Sequence, residues 1–544
     1  MQNTKYNRTL ILAVTMLLAS IATHAQSATI KGKVRFENQP VEFANVVLGE
    51  TIYGSSTDTT GAFLIQNIPA GTYKVTVTAI GFDISEKTIT LTEYEKKSVD
   101  FDLVSNHLSL GEVVISGTMK EVSKLESPVP VEVYSAKFFK ANPTSSIFDA
   151  LQNVNGVRPQ INCNVCNTGD IHINGLEGPY TMVLIDGMPI VSGLSTVYGL
   201  QGIPQDLIER VEIVKVPAST LYGSEAVGGL INIITKKPNN APIFSADIYG
   251  TTWGELNTDL AGKFNASKKV QSLIGVNYFN YSLPIDNNKD GFTDLTLQDR
   301  IAVFNKWNFE RKYNRIFTLA GRYLYEDRWG GEMNWAKKYR GRNVVYGESI
   351  YTKRWEIFGT YQLPVKETIM FQFSANGHDQ NSAYGKITYI AKQYIGFGQL
   401  TWNKRVKWND IFVGSTFRYT YYDDNTPATT MFDTLGTKQN LTSNTYLPGV
   451  FIQDEISINE NNKVLIGIRY DYNSIHGSIV TPRFNYKWNS KNKNNVIRMS
   501  VGNGYRVANV FTEDHAALTG ARKIEFLSDL KPETSWNGNH ICPR

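Results

Sequence analysis

Two cysteines lie close together in the sequence, at Cys163 and Cys166. Reduced thiolates are soft ligands that suit copper, so this pair could hold a copper ion. The same spacing also allows a small disulfide that would stiffen one loop in an oxidising compartment. Because Cys542 is the only other cysteine, the chain is not a disulfide scaffold.

An acidic stretch places oxygen-bearing side chains at alternate positions around a glycine turn. The residues are Asp286, Asn288, Asp290 and Asp294. They match the front half of a calcium-binding loop, but the twelfth position is Leu297 instead of the bidentate glutamate. Calcium binding and a solvated acidic turn are both open here.

The sequence carries no motif for catalysis. It has no Walker loop, no G-x-S-x-G elbow and no H-E-x-x-H zinc pair. We therefore expect no enzyme activity. The formal net charge of +5 over 544 residues also argues against nucleic acid as a partner.

The N-terminus indicates export. Lys5 and Arg8 precede an apolar run over residues 10–22, and a small residue, Ala25, follows it closely. This pattern is typical of a secretory signal peptide, so residues 1–25 are expected to be removed. Neither this run nor any later segment is long and apolar enough for a membrane helix. Membrane insertion would therefore need strands.

Residues 26–104 show short alternating runs separated by turn residues, which predict a small β-sandwich. Their sequence motifs, such as TDTTGAF at 57–63 and IPAGTY at 68–73, resemble those of the carboxypeptidase-regulatory-like domain. The resemblance implies an accessory module without catalysis.

Residues 121–238 carry four linked motifs. These are IHING at 171–175, MVLIDGMP at 182–189, IERVEIVKVPAS at 208–219 and LYGSEAVGGLINIIT at 221–235. In this order they resemble the α+β plug of TonB-dependent receptors. One departure is Val216, where the family has a glycine, a residue that tolerates backbone angles that valine resists.

From residue 239 to 544 the pattern changes to long alternating strands. Trp355 and Ile357 are expected on the apolar face of one strand, and Glu356 and Phe358 on the opposite face. Strands of this kind, joined by alternately short and long connections, are typical of an outer-membrane barrel. Sequences such as GVFIQDE at 449–455 and DLKPE at 529–533 resemble the receptor barrel.

The C-terminal end differs from the family pattern. We expect about fourteen strands by residue 540, whereas plugged transporters have about 22. The chain also ends without the terminal aromatic strand of the family. We therefore expect an incomplete antiparallel transmembrane β-barrel, from a truncated or frameshifted sequence. Such a chain is expected to be degraded in the periplasm.

The resemblance implies a mainly β receptor in the outer membrane, with the accessory domain in the periplasm. It implies a monomer that works with TonB, ExbB and ExbD and contacts outer-membrane lipid. The leading expectation, based on family frequency, is import of a small-molecule metal chelate, a ferric siderophore. Cobalamin, haem and copper receptors are alternatives, as are a non-transporting signalling receptor and a non-functional fragment.

The resemblance also bears on the candidate ligand residues. Some copper receptors resemble this chain in having a cysteine in the plug loop, where Cys163 and Cys166 lie. Cobalamin receptors resemble it in binding calcium in an early external loop. Haem receptors carry a histidine between motifs similar to those around His515, but here the first motif lacks its proline, which favours a surface histidine.

A β-prone segment lies in the linker at residues 105–120, just ahead of the expected plug. It includes Leu110, Glu112, Val113, Val114 and Ile115. An exposed strand of this kind can add to the sheet edge of a partner. We interpret it as a TonB box. The alternatives are a strand of the accessory domain and a plain linker.

If this segment is the TonB box, Val113→Pro should abolish transport while ligand binding persists. Proline removes one main-chain donor and fixes φ, so pairing with the TonB strand is lost. Uptake and binding assays on the full-length receptor check this expectation. Unchanged uptake in the variant would refute the assignment.

Overall fold

The computed structural model describes residues 27–36, 39–49, 51–79, 82, 85–103, 113–163, 168–191, 194, 199–432, 437–491, 495–507 and 530–541. The chain divides into two compact units, Met1–Glu112 and Val113–Arg544.

The first unit is a small sandwich of two sheets around one apolar core, as expected. Its strands are β1 Ser27–Phe36, β2 Gln39–Pro40, β3 Asn45–Leu48, β4 Gly54–Ser56, β5 Ala62–Pro69, β6 Gly71–Thr78, β7 Ser85–Leu91, β8 Lys96–Ser98 and β9 Phe101–Asp102. One sheet contains β2, β1 and β5 with β8 and β9 parallel to β1, and the other has the order β4-β3-β6-β7. Alternation places Val75 and Val77 in the core and leaves Lys74 exposed.

The second unit begins with an α+β domain, residues 113–241, called the plug below. Its strands and helices are β10 Val113–Val114, β11 Val122–Ser123, β12 Glu132–Ser135, α1 Ala136–Ala141, α2 Ile147–Ala150, β13 Val157–Cys163, β14 Thr168–Ile173, β15 Thr181–Ile185, β16 Met188–Val191, β17 Ile208–Val214, α3 Ser219–Tyr222 and β18 Gly229–Thr235. Four short 3-10 helices span Leu151–Asn153, Gly178–Tyr180, Gln205–Leu207 and Pro238–Asn240.

The plug is organised around a sheet of order β12-β17-β18-β15-β16, with β15 and β18 parallel. Every residue of β15 and β18 is buried, as their continuous apolar sequences require. Val216, the departure from the family pattern, is buried without a positive φ, so the valine fits this turn. Among the described residues no helix is long and apolar enough to cross a membrane.

A sheet of fourteen antiparallel strands follows, called the wall below. Its members, in both chain order and spatial order, are β19 Phe244–Gly250, β20 Leu256–Ser267, β21 Val270–Tyr281, β22 Leu297–Phe309, β23 Phe317–Gly331, β24 Gly347–Gln362, β25 Thr368–Tyr384, β26 Ile387–Val406, β27 Asn409–Asp424, β30 Ser443–Ser457, β31 Asn462–Asn473, β32 Gly477–Asn489, β33 Val496–Arg506 and β34 Glu533–Ile541. A separate hairpin, β28 Thr430–Phe432 with β29 Lys438–Asn440, interrupts the series. Short 3-10 helices lie at Lys312–Asn314 and Lys337–Tyr339.

The two faces of the wall differ as the alternation predicts. Trp355 and Ile357 are exposed, whereas Glu356 and Phe358 are buried. The inner face is largely buried. Much of it packs on the plug, and Phe304 and Phe358 belong to the same apolar cluster as the plug core.

Connections at one end of the wall are short throughout, for example 268–269 and 407–408. At the other end, 282–296, 332–346 and 425–442 are long, but 385–386 and 474–476 are short. The expected alternation is therefore only partly observed.

Ile30→Ala should destabilise the first unit by about 2–5 kcal/mol, because a fully buried side chain is truncated between two sheets. Lys31→Ala is the matched control, since Lys31 is exposed on the opposite face of the same strand. Amide hydrogen exchange of residues 27–103 in the full chain measures the difference. Equal protection in both variants would contradict the core position of Ile30.

Candidate functional site

The described part of the candidate TonB box is docked against the plug. Val113 and Val114 form β10, which pairs with β11, and Val114 is fully buried. The Ile115 N–H donates to Glu212 Oε2 at 2.9 Å. Leu110 and Glu112 lie outside the described residues, so the assignment as a TonB box stays a prediction.

Glu212 on β17 is a buried carboxylate that uses both oxygens. Its Oε2 accepts from Ser116 N at 2.9 Å and from Ser116 Oγ at 2.6 Å, besides the Ile115 N–H. Its Oε1 accepts from Arg210 Nε at 2.9 Å and Nη2 at 2.8 Å. One carboxylate therefore joins Ile115, at the end of the candidate box, and Ser116 to the central sheet of the plug.

Two further plug residues hold Ser116. Asn232 Nδ2 donates to Ser116 Oγ at 2.9 Å, and the Tyr222 hydroxyl donates to Ser116 O at 3.1 Å. Burial raises the pKa of Tyr222, and the negative charge of Glu212 raises it further. The hydroxyl therefore remains a donor at any physiological pH.

The Asp-Gly turn of the plug binds the wall. Asp186 Oδ1 accepts from Thr235 N at 2.8 Å, and Oδ2 accepts from Thr235 Oγ at 2.7 Å. Lys306 on β22 donates to Asp186 Oδ2 at 2.8 Å and to Thr235 Oγ at 2.7 Å. Asp186 holds its turn at a φ of 50° and carries the charge that fixes this turn to the wall.

Buried arginines line the wall beside residues 199–201 of the plug. Arg322 forms a bidentate pair with Glu356, at 2.8 and 2.6 Å, and donates to the Gly199 and Gln201 carbonyls. Arg354 donates to the same carboxylate at 2.5 Å. Nearer the long-loop end, Arg300, Arg328 and Glu326 form a similar group around the Gln201 side chain. Four guanidinium groups thus face two carboxylates.

A second set of cations, on β31 to β33, binds main-chain carbonyls of the plug. Arg483 donates to Gly117 O at 3.3 Å, Lys487 to Leu125 O, and Arg498 to Ser127 O at 3.2 Å. Lys463 pairs with Glu126 at 3.1 Å. On the other side of the plug, Lys120 pairs with Asp410 on β27 at 2.8 Å. Residues 117–127 are therefore held by several separate wall side chains.

Lys140 joins the plug to the first wall strand, with Nζ at 2.6 Å from both Asp206 Oδ1 and Asp247 Oδ2. Burial alone would raise the pKa of Asp206, but the hydrogen bond and positive charge of Lys140 hold that pKa below its ordinary value. Because folding lowers this pKa, the pair stabilises the plug at neutral pH. Its contribution is lost as the pH falls through the folded pKa and Asp206 is protonated.

A cavity of about 930 Å³ separates the plug from β22 to β27 near the short-turn end of the wall. Ile115, Met119 and Val122 line it on the plug side, and Thr360 and Thr401 on the wall side. The segment that Glu212 holds is therefore also one boundary of this cavity.

Only some of the residues proposed from the sequence as ligand sites lie within the described ranges. Cys163 ends β13, and its main chain pairs with Thr168, while Cys166 and His515 lie outside the described residues. Within the described ranges, no group of three or more His, Cys, Asp or Glu side chains is placed to hold a metal ion. Copper or disulfide chemistry at the cysteine pair stays a prediction.

The acidic loop makes its own internal contacts. Asp286 accepts from the Gly291 N–H at 2.9 Å, Asp290 from Phe292 N at 2.8 Å, and Asp294 from Asn287 N at 2.7 Å. Asn288 donates to Asp290 at 3.0 Å. These bonds shape the loop whether or not an ion binds, so calcium there also stays a prediction.

Asp186, Arg210 and Glu212 lie within the plug motifs, but the motifs alone assign them no role. A signal was present for Arg210 and Glu212, since charged residues inside an otherwise apolar plug strand require buried partners. The sequence also indicates that Lys306 and Arg322 need buried partners, because they fall on the inward positions of alternating strands. Their partners could not be found in this way, since 120 residues separate Lys306 from Asp186.

Three families match the sequence. Residues 30–115 match the CarboxypepD_reg-like domain, 123–230 the TonB-dependent Receptor Plug Domain, and 252–539 the TonB dependent receptor-like β-barrel. The last match alone covers more than half of the chain.

Relatives of this chain include the iron-regulated outer membrane virulence protein of Vibrio cholerae, 24% identical over 436 residues. That match covers 76% of this chain and 62% of the relative, so the chain spans less than two thirds of the relative's length. Among solved structures, the siderophore receptor PiuA of Acinetobacter baumannii aligns with a TM-score of 0.56, at 14% identity, over 77% of this chain and 70% of PiuA. The ferric enterobactin receptor PfeA of Pseudomonas aeruginosa aligns with a TM-score of 0.54, also at 14% identity, over 73% of this chain and 64% of PfeA. These structures establish the likeness in fold.

Glu356→Gln should destabilise the second unit by about 3–5 kcal/mol, because it leaves the Arg322 and Arg354 charges buried without their counter-charge. The matched control is Glu367→Gln, which breaks an exposed pair with Lys404 and should have no measurable effect. Thermal unfolding of the purified receptor measures both variants. Equal transition temperatures would show that the buried cluster does not stabilise the fold.

Proposed function

Because the chain belongs to the TonB-dependent receptors, we propose that it imports a ferric siderophore across the outer membrane with energy delivered through TonB. The observation that carries this proposal is the plug. It contacts wall strands from β19 to β34 and packs its apolar core against the inner face of the wall. A bulky solute can pass only if part of the plug moves.

Moving the plug requires work. Its contacts with the wall include the Lys306–Asp186 pair and the arginine cluster around Glu356, all largely buried. Charge-assisted hydrogen bonds of this kind each contribute roughly 1.5–3 kcal/mol when buried. Binding of a small ligand cannot replace many of them, which supports an external energy source coupled through the segment at Val113.

Two observations support a ferric chelate as the ligand. The relatives include an iron-regulated outer membrane protein and receptors named for ferric enterobactin and siderophores. On the inner face of β22 to β24, buried arginines outnumber buried glutamates, and these cations would favour an anionic solute once the plug residues that cover them have moved. Many ferric chelates are anions, whereas cobalamin has no such net charge.

The remaining partners follow from the family. We propose an outer-membrane location, with the exposed apolar face of the wall in lipid and the first unit in the periplasm. TonB would act with ExbB and ExbD at the inner membrane. The receptor would work as a monomer, since one chain supplies both the wall and the plug. It would have no catalytic activity of its own.

Deleting the gene should abolish uptake of one radiolabelled ferric siderophore by iron-starved cells, and the restored gene should recover that uptake. Inactivation of TonB should have the same effect as the deletion. A panel of ferric catecholates, ferric hydroxamates, haem, cobalamin and copper identifies the ligand class.

The Val113→Pro receptor is the control for binding without energy coupling. It should retain surface binding of the chelate while uptake falls to the level of the deletion strain. Uptake of cobalamin, haem or copper, but of no ferric siderophore, would overturn the ligand class. Binding with no TonB-dependent uptake of any solute would instead indicate a non-transporting receptor.

A further inference from the structure

We infer that Glu212 is a positioning residue that keeps Ile115 and Ser116, at the C-terminal end of the candidate TonB box, docked on the plug sheet. Breaking these contacts releases the segment 113–122 from the rest of the plug. This inference deepens the proposed function and rests on it for the role of TonB. The contacts themselves are properties of the plug and can be tested without transport.

Glu212 binds the first residues that follow β10 in the chain. Ile115 and Ser116 directly follow β10, and both bind the Glu212 carboxylate. A pull applied to the chain ahead of Val113 therefore reaches these contacts before the wall cations that hold residues 117–127. The hydrogen bonds of β10 with β11 are few, because each strand has two residues.

The contacts of Ile115 and Ser116 converge on one group, the Glu212 carboxylate. Glu212 Oε2 accepts from three donors, while Oε1 faces Arg210. Residues 117–127 are held differently, because Arg483, Lys487 and Arg498 each bind separate carbonyls. Losing one wall cation leaves the others in place, whereas losing the Glu212 charge weakens every contact that this carboxylate makes.

Glutamine cannot replace Glu212 without loss. The carboxylate accepts on both oxygens, but a carboxamide has one acceptor oxygen and one NH₂ donor group. In either orientation the NH₂ group faces donors, either the Arg210 guanidinium or the N–H and O–H groups of Ile115 and Ser116. The Glu212→Gln variant therefore keeps the shape of the side chain and loses the contacts on one side.

Release of this segment also changes the cavity beside it. Ile115, Met119 and Val122 form part of the lining, so the cavity loses that boundary when the segment leaves. Glu212 does not itself line the cavity. It acts through the segment that it holds, which is why we describe it as a positioning residue.

A buried thiol at position 114 measures release. Val114 is fully buried in the docked state, so a Val114→Cys thiol reacts with a soluble reagent only when the segment opens. The experiment uses the purified receptor with Cys163, Cys166 and Cys542 replaced by serine. It contains neither TonB nor ligand, so its result does not depend on the transport assignment.

Glu212→Gln should raise the labelling rate of Val114→Cys at least about tenfold, because charge-assisted hydrogen bonds that close the segment are lost. Glu209→Gln is the matched control on the same strand. Glu209 is partly exposed and pairs only with Arg210 among its described contacts, so the rate should change less than about twofold. Ser116→Ala, which removes one hydroxyl from the same contacts, should give an intermediate rate.

A second reporter separates release of the segment from loss of the plug. Ile233 is fully buried in β18, and Ile233→Cys should remain unreactive in the Glu212→Gln receptor. Faster labelling at both positions would show that Glu212 only stabilises the plug as a whole, which overturns the inference. Equal labelling of Val114→Cys in the Glu212→Gln and Glu209→Gln receptors would also overturn it.

Discussion

The inner face of the wall must find partners for its charges, and this constraint shapes the whole second unit. Alternation along each strand puts one face outward and places residues such as Glu356, Arg322 and Arg300 inward. A buried charge without a partner is costly, so these side chains need either water or protein groups beside them. The plug supplies the protein groups, including main-chain carbonyls at Gly199 and Gln201. The wall and the plug therefore supply hydrogen-bond and ion-pair partners to each other's buried polar groups.

The same constraint explains why the plug is held by so many different contacts. Carbonyl oxygens accept from Arg483 and Arg498, while carboxylates such as Asp186 pair with Lys306. Apolar contact adds to this where Phe304 and Phe358 join the plug core. Polar contacts of this kind are specific in geometry, but water can take the place of either partner when part of the plug moves. An entirely apolar interface would offer no such exchange, because water cannot replace apolar contacts.

Sequence reasoning reached the architecture because the governing patterns are local. The period of two around Trp355 and Ile357 predicts the two faces of a strand, and the apolar run of β18 predicts a buried strand. Pairing between distant charges is different, since 97 residues separate Ile115 from Glu212 and no local pattern records their contact. For the same reason, the motif that contains Glu212 is recognisable in the sequence, but its partners Ile115 and Ser116 are not predictable from it.

The wall makes many more polar contacts with one side of the plug than with the other, and this difference is found at the segment that follows β10. Toward β31 to β33, residues 117–127 meet a dense set of lysines and arginines. Toward β22 to β27, the same part of the plug faces a cavity, crossed by contacts such as that between Lys120 and Asp410. Space for movement therefore exists on the side of the segment that faces β22 to β27. A segment that is released at Ser116 has the cavity beside it, while the cations on the opposite side still hold the chain at Leu125 and Ser127. The arrangement favours local withdrawal of residues 113–122 over displacement of the plug as a single body.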